Sequence, residues 1–209
     1  ILNVEKLAHQ VEEGLSFQGV SFNVAKGDKI ALSGHPMLSS ALLQILSGEL
    51  PCEKGQIKWG VTIQVANFPT NYDAEFDCDY NLIDWLRQFS KEKEEGYIRG
   101  FLGRMLFSGE EGLKKVRVLS GGEKVRLILS RMMLSRANFL LFDEPTNHLD
   151  LESITSLNEG LKEYKGNIII KSRDHELIQT VCNRIIEVRG EGTFDYMGNY
   201  DEFLDKIKE

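Results

Sequence analysis

Three apolar runs in the second half of the chain, ANFLLFDE, GNIIIKS and NRIIEVR, are separated by two segments of helical periodicity, LESITSLNEGLKEY and HELIQTVC. This alternation restricts the fold more than any other feature. A short run of consecutive apolar residues is a strand buried on both faces, and helices between such strands cover those faces. The pattern therefore predicts an α/β architecture with a mostly parallel core sheet. It also says where chemistry belongs, because ligands of open α/β sheets bind at the carboxyl ends of the strands. FLLFDE ends at that edge with Asp143 and Glu144.

Upstream the pattern changes. ILNVEKL and LSFQGVSFNV read as short strands, and the alternation in SFNV before the Gly27-Asp28 turn predicts an antiparallel N-terminal β-subdomain ahead of the apolar run KIALS. From Ser39 the positions Leu42, Leu43, Ile45 and Leu46 keep helical spacing, and Gly48 stops that helix. QIKWG and VTIQVANF are expected to pair around a turn at Gly60, and TFDYMG is a further strand. Between about 79 and 135 the character is helical, in NLIDWLRQF, GYIRGFLGRMLF and EKVRLILSRMMLS. The expected organisation is one domain over 1–209, with that helical lobe inserted into the α/β core.

A chain of 209 residues that is 42% apolar has ample material for a core. Its net charge of −7 argues against strong autonomous binding to nucleic acid, which needs clustered Lys and Arg to displace counterions. The mixed-charge stretches KEKEE and LKKVR read as solvated faces. No apolar run approaches the roughly 18 residues of a membrane span, so no membrane association is expected. Cys52, Cys78 and Cys182 are odd in number and widely spaced, which fits neither a disulfide framework nor a zinc site. A reducing, cytoplasmic setting is the expectation.

Chemistry concentrates in LSGGEKVR and, one helix later, NFLLFDEPTNHLD. Ser120 and Glu123 stand at the N-cap and N3 positions of a capping box. The same helix start, bearing Gly121 and Gly122, also presents backbone N–H groups and a positive dipole end to an anion. Capping and phosphate binding use the same groups and do not compete. A carboxylate such as Asp143 at a strand's carboxyl end can hold a water of Mg²⁺, and a second beside it, Glu144, can orient or deprotonate an attacking water.

Together these motifs resemble the ATPase domain of the ATP-binding cassette (ABC) family, a P-loop NTPase-type fold. LSGGE is similar to the family signature, FLLFDE to its Walker B strand and NHLD, which contains Asp150, to its D-loop. EPTNHLD, with a compact helical lobe before the signature, resembles the ABC-F branch of translation-associated ATPases, and residues 81–126 resemble the second ATPase domain of such proteins. The resemblance covers essentially the whole chain. It implies ATP and Mg²⁺ as cofactors, a second ABC ATPase domain as partner, in cis or as a dimer, and the ribosome as an assembly to dock on. It also implies Glu144 as the catalytic acid, Asp143 and Ser40 near the metal, and Gly34, Ser39, Ser40, Thr70, Ser120, Gly121, Gly122, Glu123, Asp150 and Arg173 around nucleotide.

The chain departs from the family where it would grip its own nucleotide. In place of G-x-x-x-x-G-K-[ST] it reads GHPMLSS, which puts Leu38 at the last loop glycine, Ser39 at the lysine, and Ser40 and Ala41 at the hydroxyl pair. Pro36 has no N–H to offer, and no loop ammonium bridges the phosphates. Each lost charge-assisted hydrogen bond is worth roughly 1.5–3 kcal/mol. Val11 stands at the adenine-stacking aromatic, Thr70 at the metal-sensing glutamine and Arg173 at the switch histidine. Arginine donates hydrogen bonds but accepts none, so it neutralises phosphate without relaying a proton. His175 is turned by about 200° from Arg173 if a helix starts near Asp174. Ser39 or Ser40 is then expected to cap the helix that follows. The expected function is an ABC-F type domain that binds or hydrolyses ATP in a composite site, its own half weak and its signature intact. A non-catalytic docking module and a transporter ATPase subunit are the alternatives.

Overall fold

The computed structural model describes residues 1–208. Along the chain come β1 (Leu2–Glu12), β2 (Leu15–Val24), β3 (Lys29–Gly34), α1 (Pro36–Ser47), β4 (Lys54–Trp59) and β5 (Val65–Asn67), then α2 (Leu82–Arg87), α3 (Glu95–Arg104) and α4 (Gly121–Leu134). There follow β6 (Phe139–Asp143), α5 (Leu151–Glu163), β7 (Asn167–Lys171), α6 (His175–Val181), β8 (Arg184–Val188), β9 (Thr193–Met197) and α7 (Tyr200–Lys206). The contacts divide the described residues into two compact units, one of residues 1–67, 138–145 and 165–208, the other of 68–137 and 146–164. The helical unit thus begins earlier than the lobe expected at 79–135 and also takes in α5.

The first unit holds both sheets. Antiparallel strands in the order β2-β1-β4 form the smaller one, and β5-β6-β7-β3-β8-β9 form the larger, parallel throughout except for the β8–β9 pair. The α/β expectation, with a mostly parallel sheet and an antiparallel subdomain, is met. One sequence expectation is corrected: QIKWG and VTIQVANF do not pair with each other. β4 lies antiparallel to β1, with Leu2 opposite Trp59, whereas β5 runs parallel to β6, with Val65 opposite Phe139. The Gly60 turn, tied by Gly60 N–H to Ile1 O at 2.8 Å, hands the chain from one sheet to the other.

Alternation along β1 and β2 turns Leu2, Val4, Leu7, Phe17, Val20, Phe22 and Val24 inward, where they join Ile30 and Leu32 of β3 and the apolar face of α1 in one buried cluster. Arg184 is only 8% exposed and donates to Asp28 Oδ2 at 2.7 Å and to Asp195 Oδ1 at 2.8 Å, tying the turn before β3 to β8 and β9. In the second unit, α4 packs along α5. A Cβ on Gly122 would meet Ser156 Oγ at 2.7 Å and one on Gly160 would meet Leu129 Cδ1 at 2.6 Å, so small residues allow the two helices to close up.

Candidate functional site

The turn from β3 into α1 is built for strand and helix packing. Gly34 has φ +98°, and a Cβ there would lie 2.4 Å from Val188 O of β8, so only glycine fits. His35 is the N-cap, its Nδ1 accepting from Met37 N–H at 3.3 Å, and Pro36 supplies the preset φ of a first helical residue. This corrects the expectation that the helix starts at Ser39 and that Ser39 or Ser40 caps it. Residues 36–40 are the first turn of a helix. Ser39 is 1% exposed and its hydroxyl donates to Ser33 O at 3.0 Å, which directs it back into the turn.

Ser40 is engaged by Lys171, which belongs to none of the sequence motifs. β6 and β7 are in register with Asp143 opposite Lys171. The Lys171 ammonium donates to Ser40 Oγ at 2.9 Å and to Asp143 Oδ1 at 2.9 Å, and lies 3.4 Å from Glu144 Oε1. Its side chain and that of Glu144 are each 12% exposed. Glu144 has φ +46°, and its N–H donates to Lys171 O at 2.8 Å. Its carboxylate accepts from Arg173 N–H at 3.1 Å, with the exposed Arg173 guanidinium 3.6 Å away. Both expected acids are therefore matched to cations of the same chain. The run NIIIK repeats the pattern of FLLFD, a buried strand ending in a charge at the sheet's carboxyl edge, and that was the available signal.

Lys171, Ser40, Pro36, Met37 and Val11 line a cleft of about 420 Å³. Val11 lines it beside the imidazole of His9. Gly34, Ser39, Glu144 and Arg173 line a second cleft of about 180 Å³. His175 turns to Asp201 at 2.8 Å and stands against the Tyr200 ring.

In the helical unit, Ser120 and Glu123 form the capping box that their spacing predicts. Ser120 Oγ accepts from Glu123 N–H at 3.3 Å, and Ser120 N–H donates to Glu123 Oε2 at 2.8 Å. Lys114 Nζ holds the Glu123 carboxylate at 2.7 Å. Burial alone would raise the Glu123 carboxyl, but the Lys114 and Ser120 hydrogen bonds outweigh it and leave the carboxyl below its ordinary value. Ser120 Oγ also donates to Glu152 Oε1 at 2.9 Å. A Cβ on Gly121 would meet Ser153 Oγ at 2.4 Å and Asp150 Oδ2 at 3.2 Å, so the glycines serve close approach of α4 to α5 as well as an open helix start. Asp150 caps α5 by accepting from Ser153 N–H at 2.8 Å, and the Ser153 hydroxyl, followed by that N–H, keeps its carboxyl low. Thr70 lies in an exposed bend of this unit. The structure thus gathers Gly34, Ser40, Asp143, Glu144 and Arg173 at the sheet edge of one unit, and Ser120, Gly121, Gly122, Glu123 and Asp150 at the helix starts of the other.

Comparison with known proteins gives this geometry its context. The chain is 51% identical over 98% of its length to YkpA, an uncharacterized ABC transporter ATP-binding protein of Bacillus subtilis, and covers 38% of that protein. It is 33% identical over 99% of its length to ABC transporter F family member 5 of Arabidopsis thaliana, covering 30% of it. The chain therefore spans well under half the length of these relatives. The fold matches cbiO1 of Clostridium perfringens, part of the ABC transporter complex cbiONQ, with a TM-score of 0.75 at 19% identity over 100% of this chain and 92% of that one. Domains of this kind bind ATP with Mg²⁺ in general and work as dimers or with a partner domain. The ABC transporter family profile matches residues 17–147, and the chain belongs to that family as an ATP-binding cassette domain.

Proposed function

We propose that this chain is an ABC-F type cassette domain, the second of a pair, whose signature turn completes the ATP site of a partner ABC domain while its own half-site is weak. One contrast carries the reading. The Lys171 ammonium takes up Ser40, Asp143 and Glu144, whereas the Ser120–Glu123 turn keeps its capping geometry at the start of a 14-residue helix. The first two N–H groups of such a helix have no intrahelical acceptor and suit a terminal phosphate. Glu144, held by Lys171 and by Arg173 N–H, is poorly placed to take a proton from water. Membership of the F branch is supported by EPTNHLD and by the Arabidopsis relative's name; YkpA's name keeps a transporter ATPase subunit as the alternative. The cytoplasm is the location this reading implies, and the ribosome is the assembly that the ABC-F likeness suggests.

The test is ATP hydrolysis by an ABC-F domain with an intact phosphate loop, measured with and without this chain. Stimulation that Ser120→Arg abolishes and Glu144→Gln leaves unchanged supports the proposal. Stimulation lost with Glu144→Gln instead assigns the chemistry to this chain's own half.

A further inference from the structure

We infer that Lys171 is a built-in cation that holds divalent metal out of this chain's own half-site. The family's metal would use the hydroxyl of Ser40 and the carboxylate of Asp143, and Mg²⁺ demands near-octahedral oxygen ligands at about 2.0–2.1 Å. The residues present do not fit it. Nζ of Lys171 lies 2.9 Å from Ser40 Oγ and 2.9 Å from Asp143 Oδ1, so an ammonium stands between the two groups that would hold the metal. Glu144 Oε1 adds an ion pair at 3.4 Å to these two hydrogen bonds. The ammonium is thus held by two hydrogen bonds and a second carboxylate.

Charge points the same way. Asp143 and Glu144 alone would present two negative charges to a dication. With Lys171 between them and Arg173 3.6 Å from Glu144, the four side chains sum to zero formal charge. A dication entering here would meet little net attraction and a positive group within a few ångströms, with Lys171 and Glu144 each only 12% exposed. The ammonium also has little freedom to withdraw: its side chain is 12% exposed, and Asp143 lies directly opposite on the neighbouring strand. The groups facing it from the packed elements are Ser40 of α1, Asp143 and Glu144 at the end of β6, and Arg173 just beyond its own strand.

The inference rests on reading residues 34–40 with Asp143 as this chain's own nucleotide half. Its test reads metal, whereas the test of the proposed function reads partner stimulation, so the two fail in different measurements. Mn²⁺ is titrated into the full chain and its free signal followed by electron paramagnetic resonance, with and without ATP. Wild type and Asp143→Asn are expected to take up Mn²⁺ equally. Lys171→Gln is expected to gain a site at least about tenfold tighter, lost again in Lys171→Gln/Asp143→Asn, while Lys171→Arg, which keeps the charge, gains none. Uptake by wild type that Asp143→Asn removes overturns the inference, as does a folded Lys171→Gln protein with no gain. Should Lys171→Gln fail to fold, the comparison of wild type with Asp143→Asn decides alone: equal uptake supports the inference and a wild-type excess overturns it.

Discussion

At the carboxyl edge of the large sheet, polar groups answer one another: Lys171 engages Ser40, Asp143 and Glu144, and Ser39 turns its hydroxyl back to Ser33 O. At the start of α4 the capping box of Ser120 and Glu123 is braced by Glu152, which accepts from Ser120 Oγ, and by Lys114 on the Glu123 carboxylate, while Gly121 and Gly122 add no side chains of their own to the helix end. Both places carry motifs of the same family. The contrast teaches that polar groups at a sheet's carboxyl edge can be matched by partners brought from distant parts of the chain, here Lys171 of β7. At the signature turn, capping and helix packing require the same residues that phosphate binding would, so the local structure holds them in place with or without a ligand.

The largest expected effect tests whether the sheet edge is set by packing. Gly34→Ala combines a φ of +98° with a Cβ 2.4 Å from Val188 O and is expected to cost about 4 kcal/mol or abolish folding. A denaturant midpoint close to wild type would show that β8 tolerates a wider turn, and the edge would no longer count as packing-determined.

Next comes the charge cluster. Lys171→Met leaves two adjacent carboxylates without their shared cation and is expected to lower unfolding free energy by roughly 3 kcal/mol, the low end for breaking a buried pair because Asp143 is 35% exposed. Adding Asp143→Asn should restore part of that loss. If the double variant is no more stable than the single one, the ion pair is not what orders this edge.

On the other side of the comparison, Gly122→Ala places a Cβ 2.7 Å from Ser156 Oγ and 3.2 Å from the backbone oxygen of Glu152. A loss of about 2 kcal/mol by thermal melting is expected, with partner stimulation reduced in step. Loss of stimulation at unchanged stability would sharpen the case, by assigning the glycine to the ligand rather than to α5.

The smallest effect is at Glu123. Its folded carboxyl titrates below its ordinary 4.5, so the stability it contributes is fully present above that pH and is lost as pH falls through the folded value. Glu123→Gln should cost about 1 kcal/mol near neutrality and flatten the acid limb of the stability curve. An unchanged acid limb would remove Lys114 and the Ser120 N–H from the account of this turn.

Much of this architecture can be read from local pattern. The capping box follows from S-x-x-E, the parallel sheet from buried runs alternating with helices, and Gly48 closes α1 with a φ of +81° as its position predicts. Local pattern fails where two segments compete for the same partner. QIKWG and VTIQVANF satisfy a hairpin by sequence, yet each has a better neighbour, β1 for one and β6 for the other. The start of α1 is not visible in the apolar periodicity because His35 and Pro36 cap and open the helix without belonging to its apolar stripe.

The sequence by itself determined the alternating α/β order, the signature turn and the absence of a lysine from the loop 34–40. Only the tertiary structure decided that a lysine stands there nonetheless, brought by β7. Its contacts span 28 residues to Asp143 and 131 to Ser40, and depend on the register of β6 with β7 and on where α1 begins. Capping and periodicity act between near neighbours in the chain, whereas an ion pair between adjacent strands exists only after the sheet has set which residues face each other.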